Sequence, residues 1–416
     1  MIVSMEVHIN EFEKGLIFME KEDTGVLTPD EINEKYEKGE ARIVTEQGAI
    51  KLPLISSIFD GDKYEKMPVY QRRITWDDEK RSKLIESFIM NIPIPPIFIY
   101  EIEFGKYEVM DGLQRISAIQ DYYDGKYELK GLSEWKELNG LKYDELPQKI
   151  REGIDRRQIS VISLLKESAK TPEQEQKMKR MVFERLNTGG VKLEPQEIRN
   201  ALYDGPFNKL CKELSATPLF RQMWGIPNEP EKNNDSEYDV DDEVNFAYEI
   251  AKNKIYMRMY DVELVLRFFA MRHLEEFVKL SDFLDAYLIF GNNKIKENAD
   301  NEEKYRQLFI KEIEKAYKIF GEKAFCIYTK QKSGYKWSSP KNMIFDPLML
   351  AVSNFEIVDE NIDADANIKI LKEKYISVDE MFFDGKRQSK VDIRKRMDFF
   401  VDVMAEISGV KYHEQD

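Results

Sequence analysis

Apolar positions keep one period at a time along this chain, and the changes of period mark its elements. Leu84, Ile85, Phe88 and Ile89 recur at helical spacing behind the acidic run Asp77-Asp78-Glu79. Anions in a first turn suit the helix dipole, so the spacing predicts a helix that opens near Thr75 as N-cap. Pro93, Pro95 and Pro96 end it. Ile97 to Glu101 and Tyr107 to Asp111 then read as strands on either side of a Phe104-Gly105-Lys106 turn. Gly112 breaks the second strand, and Leu113 to Tyr123 resumes helical spacing. The order helix, strand, turn, strand, glycine, helix defines one compact α/β unit. Upstream, Ala41 to Thr45 reads as a strand and Lys51 to Phe59 as a strand or short helix. Met67 to Tyr70 reads as extended, because a proline restricts the residue before it.

From about Pro172 the period is mainly helical. Glu173 to Leu186 is one predicted helix. The next carries Pro195 in its first turn, runs to Tyr203 and stops at Asp204-Gly205-Pro206. Asp261 to Phe277 is strongly apolar, and further helices are predicted at Glu302 to Phe320 and Arg394 to Ile407. Asn228 to Glu243 is acidic and poor in apolar residues, which predicts a surface loop. With 416 residues, more than one ordinary core is required. The expected class is α+β, with an α/β domain over 1–170 and a mainly α-helical domain over 171–416.

Composition narrows the function classes. Hydrophobic residues at 42% and charged residues at 34% are enough to build cores, which excludes general disorder. A net charge of −15 excludes a uniformly basic coat, so contact with DNA needs a local patch or a partner. Cys211 and Cys326 cannot build a disulfide framework or a cysteine zinc site. The histidines, His8, His273 and His413, are isolated, which leaves a His-dependent metal nuclease or a Ser–His–Asp hydrolase without material. His273 sits in an apolar helix and reads as a core-edge residue. Met1 to Gly15 carries Glu6, Glu11 and Glu13 without a long apolar run, and no apolar run is long enough to span a bilayer. The expectation is a cytoplasmic protein with no membrane partner. Neither a P-loop nor a dinucleotide glycine fingerprint is present.

Three segments can carry chemistry. In Val109-Met110-Asp111-Gly112-Leu113-Gln114-Arg115 a strand ends in an acid, a glycine turns the chain, and a helix opens on Gln and Arg. A helix N-terminus presents unpaired N–H groups and a positive dipole end. Arg115 adds a guanidinium that can grip a phosphate with two donors, and Asp111 can bind Mg²⁺ or orient a water. The alternative is an Asp–Arg pair that only holds the turn, and composition leaves both readings open. In Tyr70-Gln71-Arg72-Arg73-Ile74-Thr75-Trp76, arginines flanked by aromatics suit phosphate and base contacts, although a solvated loop anchored by Trp76 is the plainer reading. Phe183 to Val191 contains Asn187-Thr188-Gly189-Gly190, whose exposed backbone suits an anion and equally suits a helix C-cap. Basic clusters at Arg151 to Arg157 and Lys386 to Arg396 can meet a DNA backbone or simply face solvent.

Taken in order, several segments resemble one family. They are Val69-Tyr70-Gln71-Arg72, Trp76, Leu84-Ile85-Glu86-Ser87, Ile92-Pro93-Ile94-Pro95-Pro96-Ile97-Phe98 and Asp111-Gly112-Leu113-Gln114-Arg115. Phe183 to Gly190, Glu197-Ile198-Arg199-Asn200-Ala201 and Asp261 to Phe269 follow. The set resembles the N-terminal domain of GmrSD-type (type IV) restriction endonucleases over roughly residues 50 to 270. The resemblance implies a ParB/sulfiredoxin-like fold that handles a nucleotide. Asp111, Gly112, Gln114 and Arg115 would form the nucleotide site, with Gln71 and Arg72 beside it and Asn187, Gly189 and Gly190 as a second backbone contact. It further implies an NTP and Mg²⁺ as cofactors, and modified or foreign DNA as the target. The missing nuclease signature and the acidic surface point to a separate effector nuclease or ATPase as partner, and self-association of the chain stays open. The family's commonest motif has Gln where this chain has Leu113, so no polar role falls to that residue. GmrSD enzymes also carry a His-rich HNH nuclease domain, and no His-based motif follows His273. Cleavage of DNA is therefore not expected of this chain alone. Two roles remain open: an NTPase that licenses action on DNA, and a non-catalytic regulatory module.

Overall fold

The computed structural model describes residues 28–37, 43–65, 76–166, 175, 178–182, 185, 194–230, 240–277, 279–331, 334–359, 362–383 and 389–412. Two compact units emerge, one ending at Leu202 and the other running from Tyr203 to the end of the chain. The extended segment Met67 to Tyr70 and most of the predicted helix Glu173 to Leu186 lie outside the described residues.

The first unit is mixed α/β. Its strands are β1 (Thr45–Lys51), β2 (Tyr64–Glu65), β3 (Ile97–Glu103), β4 (Lys106–Asp111) and β5 (Gln158–Leu164). They form a five-stranded sheet in the order β1-β5-β3-β4-β2. The β1/β5 and β3/β4 pairs are antiparallel, and the β3/β5 and β2/β4 pairs parallel. The helices are α1 (Pro29–Glu37), α2 (Ile55–Phe59), α3 (Asp78–Ile89), α4 (Leu113–Tyr123), α5 (Gln148–Asp155) and α6 (Pro195–Leu202).

Alternation along the strands sorts side chains to two faces. Ile97, Ile99, Val109, Ile159 and Val161 pack with Leu84, Ile85 and Phe88 of α3 and with Ile116, Ile119 and Tyr122 of α4. Each such side chain contributes roughly 1.5–3 kcal/mol by leaving water. Tyr100, Met110 and Leu164 form a second cluster with Met178, against which Ile198 of α6 packs. That contact carries the unit past the expected 170/171 boundary to Leu202.

Several elements differ from the sequence reading for identifiable reasons. The N-cap of α3 is Asp77, whose carboxylate accepts from the Lys80 N–H at 2.8 Å, rather than Thr75. The first strand is Thr45–Lys51, later than Ala41 to Thr45, because it pairs residue by residue with β5. The segment after it is a 3₁₀ turn followed by α2, the helical alternative. Strand β5, between β1 and β3 in the sheet, went unpredicted. Its apolar alternation is short and flanked by Arg156, Arg157 and Lys166.

The second unit is helical. Its helices are α7 (Pro206–Ser215), α8 (Pro218–Trp224), α9 (Val240–Lys252), α10 (Lys254–Met257), α11 (Tyr260–Ala270) and α12 (Leu280–Glu297), followed by α13 (Asp300–Phe320), α14 (Asn342–Val352), α15 (Ala364–Ser377) and α16 (Lys390–Ala405). Two antiparallel pairs accompany them, β6 (Tyr328–Gln331) with β7 (Gly334–Trp337), and β8 (Phe355–Ile357) with β9 (Val410–Tyr412). Helix α11 is buried along nearly its whole length, as its apolar run predicts, and passes into a 3₁₀ turn at Met271. The predicted acidic loop ends early, since Val240 to Glu243 already belong to α9. Pro206, read as a stop, opens α7 at its first position. Asn292 on α12 caps that helix from outside, accepting from the N–H groups of Phe207 at 3.0 Å and Asn208 at 3.3 Å. Gly291 allows the approach, for a Cβ there would sit 2.5 Å from the Phe207 ring. Among the described residues no helix is long and apolar enough to cross a membrane.

Candidate functional site

The strand-turn-helix around Gly112 is the best-placed site for chemistry. Pairing of Phe98 with Asp111 fixes the end of β4 against β3. Gly112 then adopts a φ of 105°, which side-chain-bearing residues rarely take. A Cβ at Gly112 would also meet Ile97 Cγ1 at 3.0 Å and Arg115 Nη2 at 3.1 Å. Glycine is therefore required both for the turn and for the packing beneath it. Helix α4 begins at the next residue with no side chain capping its first turn. Its leading N–H groups are thus left to solvent or a ligand.

Arg115 folds back across this turn. Its Nη2 donates to Asp111 Oδ2 at 2.7 Å and to the carbonyl oxygen of Pro96 at 3.1 Å. The guanidinium side chain is 12% exposed and the Asp111 side chain 46%. Asp111 therefore keeps an open carboxylate edge while Arg115 is largely enclosed. One buried donor of Arg115, its Nε, has no acceptor among the described residues. An enclosed, unanswered guanidinium N–H is unusual in a folded protein and calls for a water or an anion. The two-donor phosphate grip expected of Arg115 is modified accordingly, because Nη2 is already committed to the turn.

Gln114 does a different job. Its Oε1 accepts from the backbone N–H of Trp76 at 2.9 Å. This ties the start of α4 to the chain just ahead of α3, immediately after the Tyr70-to-Thr75 segment. Leu113, half-buried, packs on the core, in keeping with its apolar character. The structure thus brings Asp111, Gly112, Gln114 and Arg115 together. Gln71, Arg72, Asn187, Gly189 and Gly190 lie outside the described residues.

Other candidates are absorbed by structure. Arg157 donates from Nε to the Phe88 carbonyl at 3.0 Å and so closes the C-terminus of α3. In the second basic cluster, Lys390 and Arg394 both pair with Glu275, and Arg396 is buried with Nε donating to the Phe382 carbonyl at 3.1 Å. Arg396 is thereby withdrawn from a DNA backbone, while Lys390 and Arg394 share one exposed carboxylate. His273 lies beside Tyr287 and Phe290, and burial together with Arg272 lowers its pKa to about 4, which fits a core-edge residue. Among the described residues no group of three His, Cys, Asp or Glu side chains converges as a metal site.

One residue of the matching motifs has a role that spacing alone does not disclose. The buried Glu86 carboxylate accepts from the backbone N–H groups of Glu134 at 2.8 Å, Trp135 at 3.0 Å and Ser133 at 3.3 Å. Burial raises its pKa, but those backbone hydrogen bonds outweigh the burial and hold it below the usual range. Glu86 is a structural anchor for the loop after Lys130. The only sequence signal was an acid placed next to the apolar stripe of α3.

The site and its sheet define a mixed α/β domain with an anion-competent turn. The sequence model of one family, described as the GmrSD restriction endonuclease N-terminal domain, matches residues 55–203. That segment is a domain of this family, and the match closes where the first compact unit closes. No curated protein and no solved structure matches the chain.

Proposed function

We propose that the α/β unit, a ParB/sulfiredoxin-like domain, binds a nucleoside triphosphate with Mg²⁺ on the Gly112 turn. Hydrolysis there licenses a restriction-like response to modified or foreign DNA. The observation that carries this reading is the coincidence of three features within one turn. These are an uncapped helix N-terminus, an enclosed Arg115 Nε without acceptor among the described residues, and a half-exposed Asp111 carboxylate. The N–H groups of Leu113 and Gln114 would donate to the phosphate oxygens, as helix N-termini do. Arg115 would add its remaining donors, held in place by Pro96 and Asp111. The open edge of Asp111 would take the metal or orient the attacking water, and a bound Mg²⁺ would neutralise charge on the phosphates. Gln114, anchored to Trp76, would fix the turn relative to the preceding segment.

A second reading has its own support. Arg115 Nη2 is spent on Asp111 and a carbonyl, which is how an arginine braces a turn. In that reading the same pocket binds nucleotide or DNA phosphate without hydrolysis, and the helical unit recruits a separate effector nuclease or ATPase. The two are separated by release of inorganic phosphate from ATP and GTP with Mg²⁺, measured on the purified chain with and without DNA. Release that disappears in Asp111→Asn and Arg115→Ala, both still folded, supports hydrolysis at the turn. Nucleotide binding without release supports the regulatory module, and equal release by parent and variants removes the turn from both readings.

A further inference from the structure

Residues 323–345 contain Lys323, Lys330, Lys332, Lys336 and Lys341 and no acidic residue, in a chain of net charge −15. Several cations elsewhere in the helical unit are answered by carboxylates, among them Lys315 by Glu312, Arg306 by Glu213 and Lys374 by Glu406. Lys323, Lys330, Lys336 and Lys341 make no ion pair among the described residues. Of the acids that bracket the segment, Asp346 is held by Arg267 at 3.0 Å, and Glu322, which accepts from the neutral Gln222 at 3.1 Å, sets one negative charge against the five lysines. A local positive field therefore survives on an acidic molecule.

The same segment forms the β6–β7 hairpin, and its register places aromatics and a lysine on one face. Tyr328 pairs with Trp337 and Lys330 with Tyr335, so these four side chains point the same way. Tyr328 and Tyr335 are stacked, with ring centroids 5.6 Å apart and 26° between planes. Trp337 lies 5.2 Å from Tyr328 and is backed by the buried Tyr375 at 6.1 Å. Lys372 of α15 lies 5.5 Å from the Tyr328 ring. The inner end of the stack is thus anchored, while Tyr335 at the outer end is 40% exposed. Lys330 shares that face, while Lys336, paired with Thr329, projects from the opposite one; both are exposed.

We propose that this hairpin is a platform for single-stranded DNA. Tyr335 stacks on an unpaired base, and Lys330 and Lys372, on the side of the rings, meet the adjoining phosphates. In a duplex the faces of each base are covered by its neighbours, so an open aromatic face finds a partner only on an unstacked base. A cationic rim on a prestacked aromatic ladder is the arrangement that binds single strands without reading sequence. The platform lies outside the matched α/β segment and does not depend on nucleotide hydrolysis. Only the choice of DNA over RNA rests on the restriction reading.

Fluorescence anisotropy of the full chain without nucleotide tests it, using a labelled single strand of mixed sequence. The unlabelled strand, its duplex, the RNA strand of the same sequence and polyglutamate serve as competitors. The unlabelled DNA strand is expected to compete best. Tyr335→Ala is expected to weaken binding about tenfold, within the range for loss of one base stack, and Tyr335→Phe to retain it. Lys330→Gln and Lys372→Gln should each lower the slope of log affinity against log salt by about 0.7, and Lys336→Gln, on the opposite face, should leave it unchanged. Thermal midpoints check that every variant folds. Parent-like binding by the Tyr335→Ala, Lys330→Gln and Lys372→Gln variants overturns the platform. Stronger competition by the duplex overturns the stacking, by RNA the choice of DNA, and by polyglutamate the assignment to nucleic acid.

Discussion

Each unit of this protein holds an arginine–carboxylate arrangement with members four residues apart on the chain. Arg115 faces Asp111 in the α/β unit, and Arg267 faces Glu263 in the helical unit. Arg267 is completed by Asp346, which its Nε meets at 3.0 and 3.1 Å, and both side chains of that pair are 4% exposed. Burial disfavours the Arg267 charge, yet the carboxylates of Asp346 and Glu263 hold its pKa above the ordinary range. Around Arg115 the balance is different. Its carboxylate partner is half open to water, one donor lacks an acceptor among the described residues, and an uncapped helix end adjoins it. The same residue types make a closed clamp in one unit and an open site in the other. Burial and the count of satisfied donors separate a structural pair from a candidate functional one.

The contrast can be broken most forcefully at the closed pair. Arg267→Met leaves Asp346 and Glu263 buried without their cation and is expected to cost about 3–5 kcal/mol in chemical denaturation. Adding Asp346→Leu should recover a substantial part, and a double variant no more stable than the single one would show that the pair is not the clamp described.

Next in size is Glu86→Ala, which strips three backbone N–H groups of their acceptor. A loss of about 2–3 kcal/mol is expected from hydrogen bonds to a charged group. Because its pKa is lowered, the contribution of Glu86 is present above its ordinary value of 4.5 and disappears as pH falls below it. A variant that retains parental stability and parental acid sensitivity would contradict the anchor.

His273 acts in a higher window. Its folded pKa of about 4 lies below the ordinary 6.5, so the unfolded chain takes up its proton first as pH falls. The corresponding stability is fully present above pH 6.5 and drains between there and about pH 4. Thermal midpoints measured across that window should fall less steeply in His273→Gln than in the parent. Parallel curves would show that the imidazole titrates normally.

The smallest effect on stability is expected at the open pair. Asp111→Asn should cost less than about 1 kcal/mol, as for a partly exposed pair, while removing phosphate release. A larger loss of stability with release intact would make Asp111 a clamp of the Arg267 kind and erase the contrast between the units.

Much of the local structure around the candidate site was legible before any tertiary contact was known. The run Leu113 to Tyr123 is helix α4 without adjustment, and the Phe104-Gly105 turn joins two strands where alternation places them. The requirement for glycine at position 112 is likewise local, because a sharp bend between a strand and a helix needs a φ that other residues resist. Strand β5 was not legible, since seven residues flanked by charges become a central strand only when β1 and β3 are there to pair with them. The cap that Asn292 places on α7, the anchoring of a loop by Glu86 and the aromatic ladder of the β6–β7 hairpin are hidden for the same reason.

Sequence by itself determined which segments are helix or strand near the turn, which residues face the core, and which residue types gather at Asp111 to Arg115. Periodicity and backbone sterics act over a few neighbouring residues, so these are written locally. Only the tertiary structure decided that Arg115 spends one nitrogen on Pro96 and Asp111, that Gln114 ties down Trp76, and that Lys390 and Arg394 share the Glu275 carboxylate. Which charges are answered and which remain open depends on side chains brought together from distant parts of the chain, and that pairing is settled by packing.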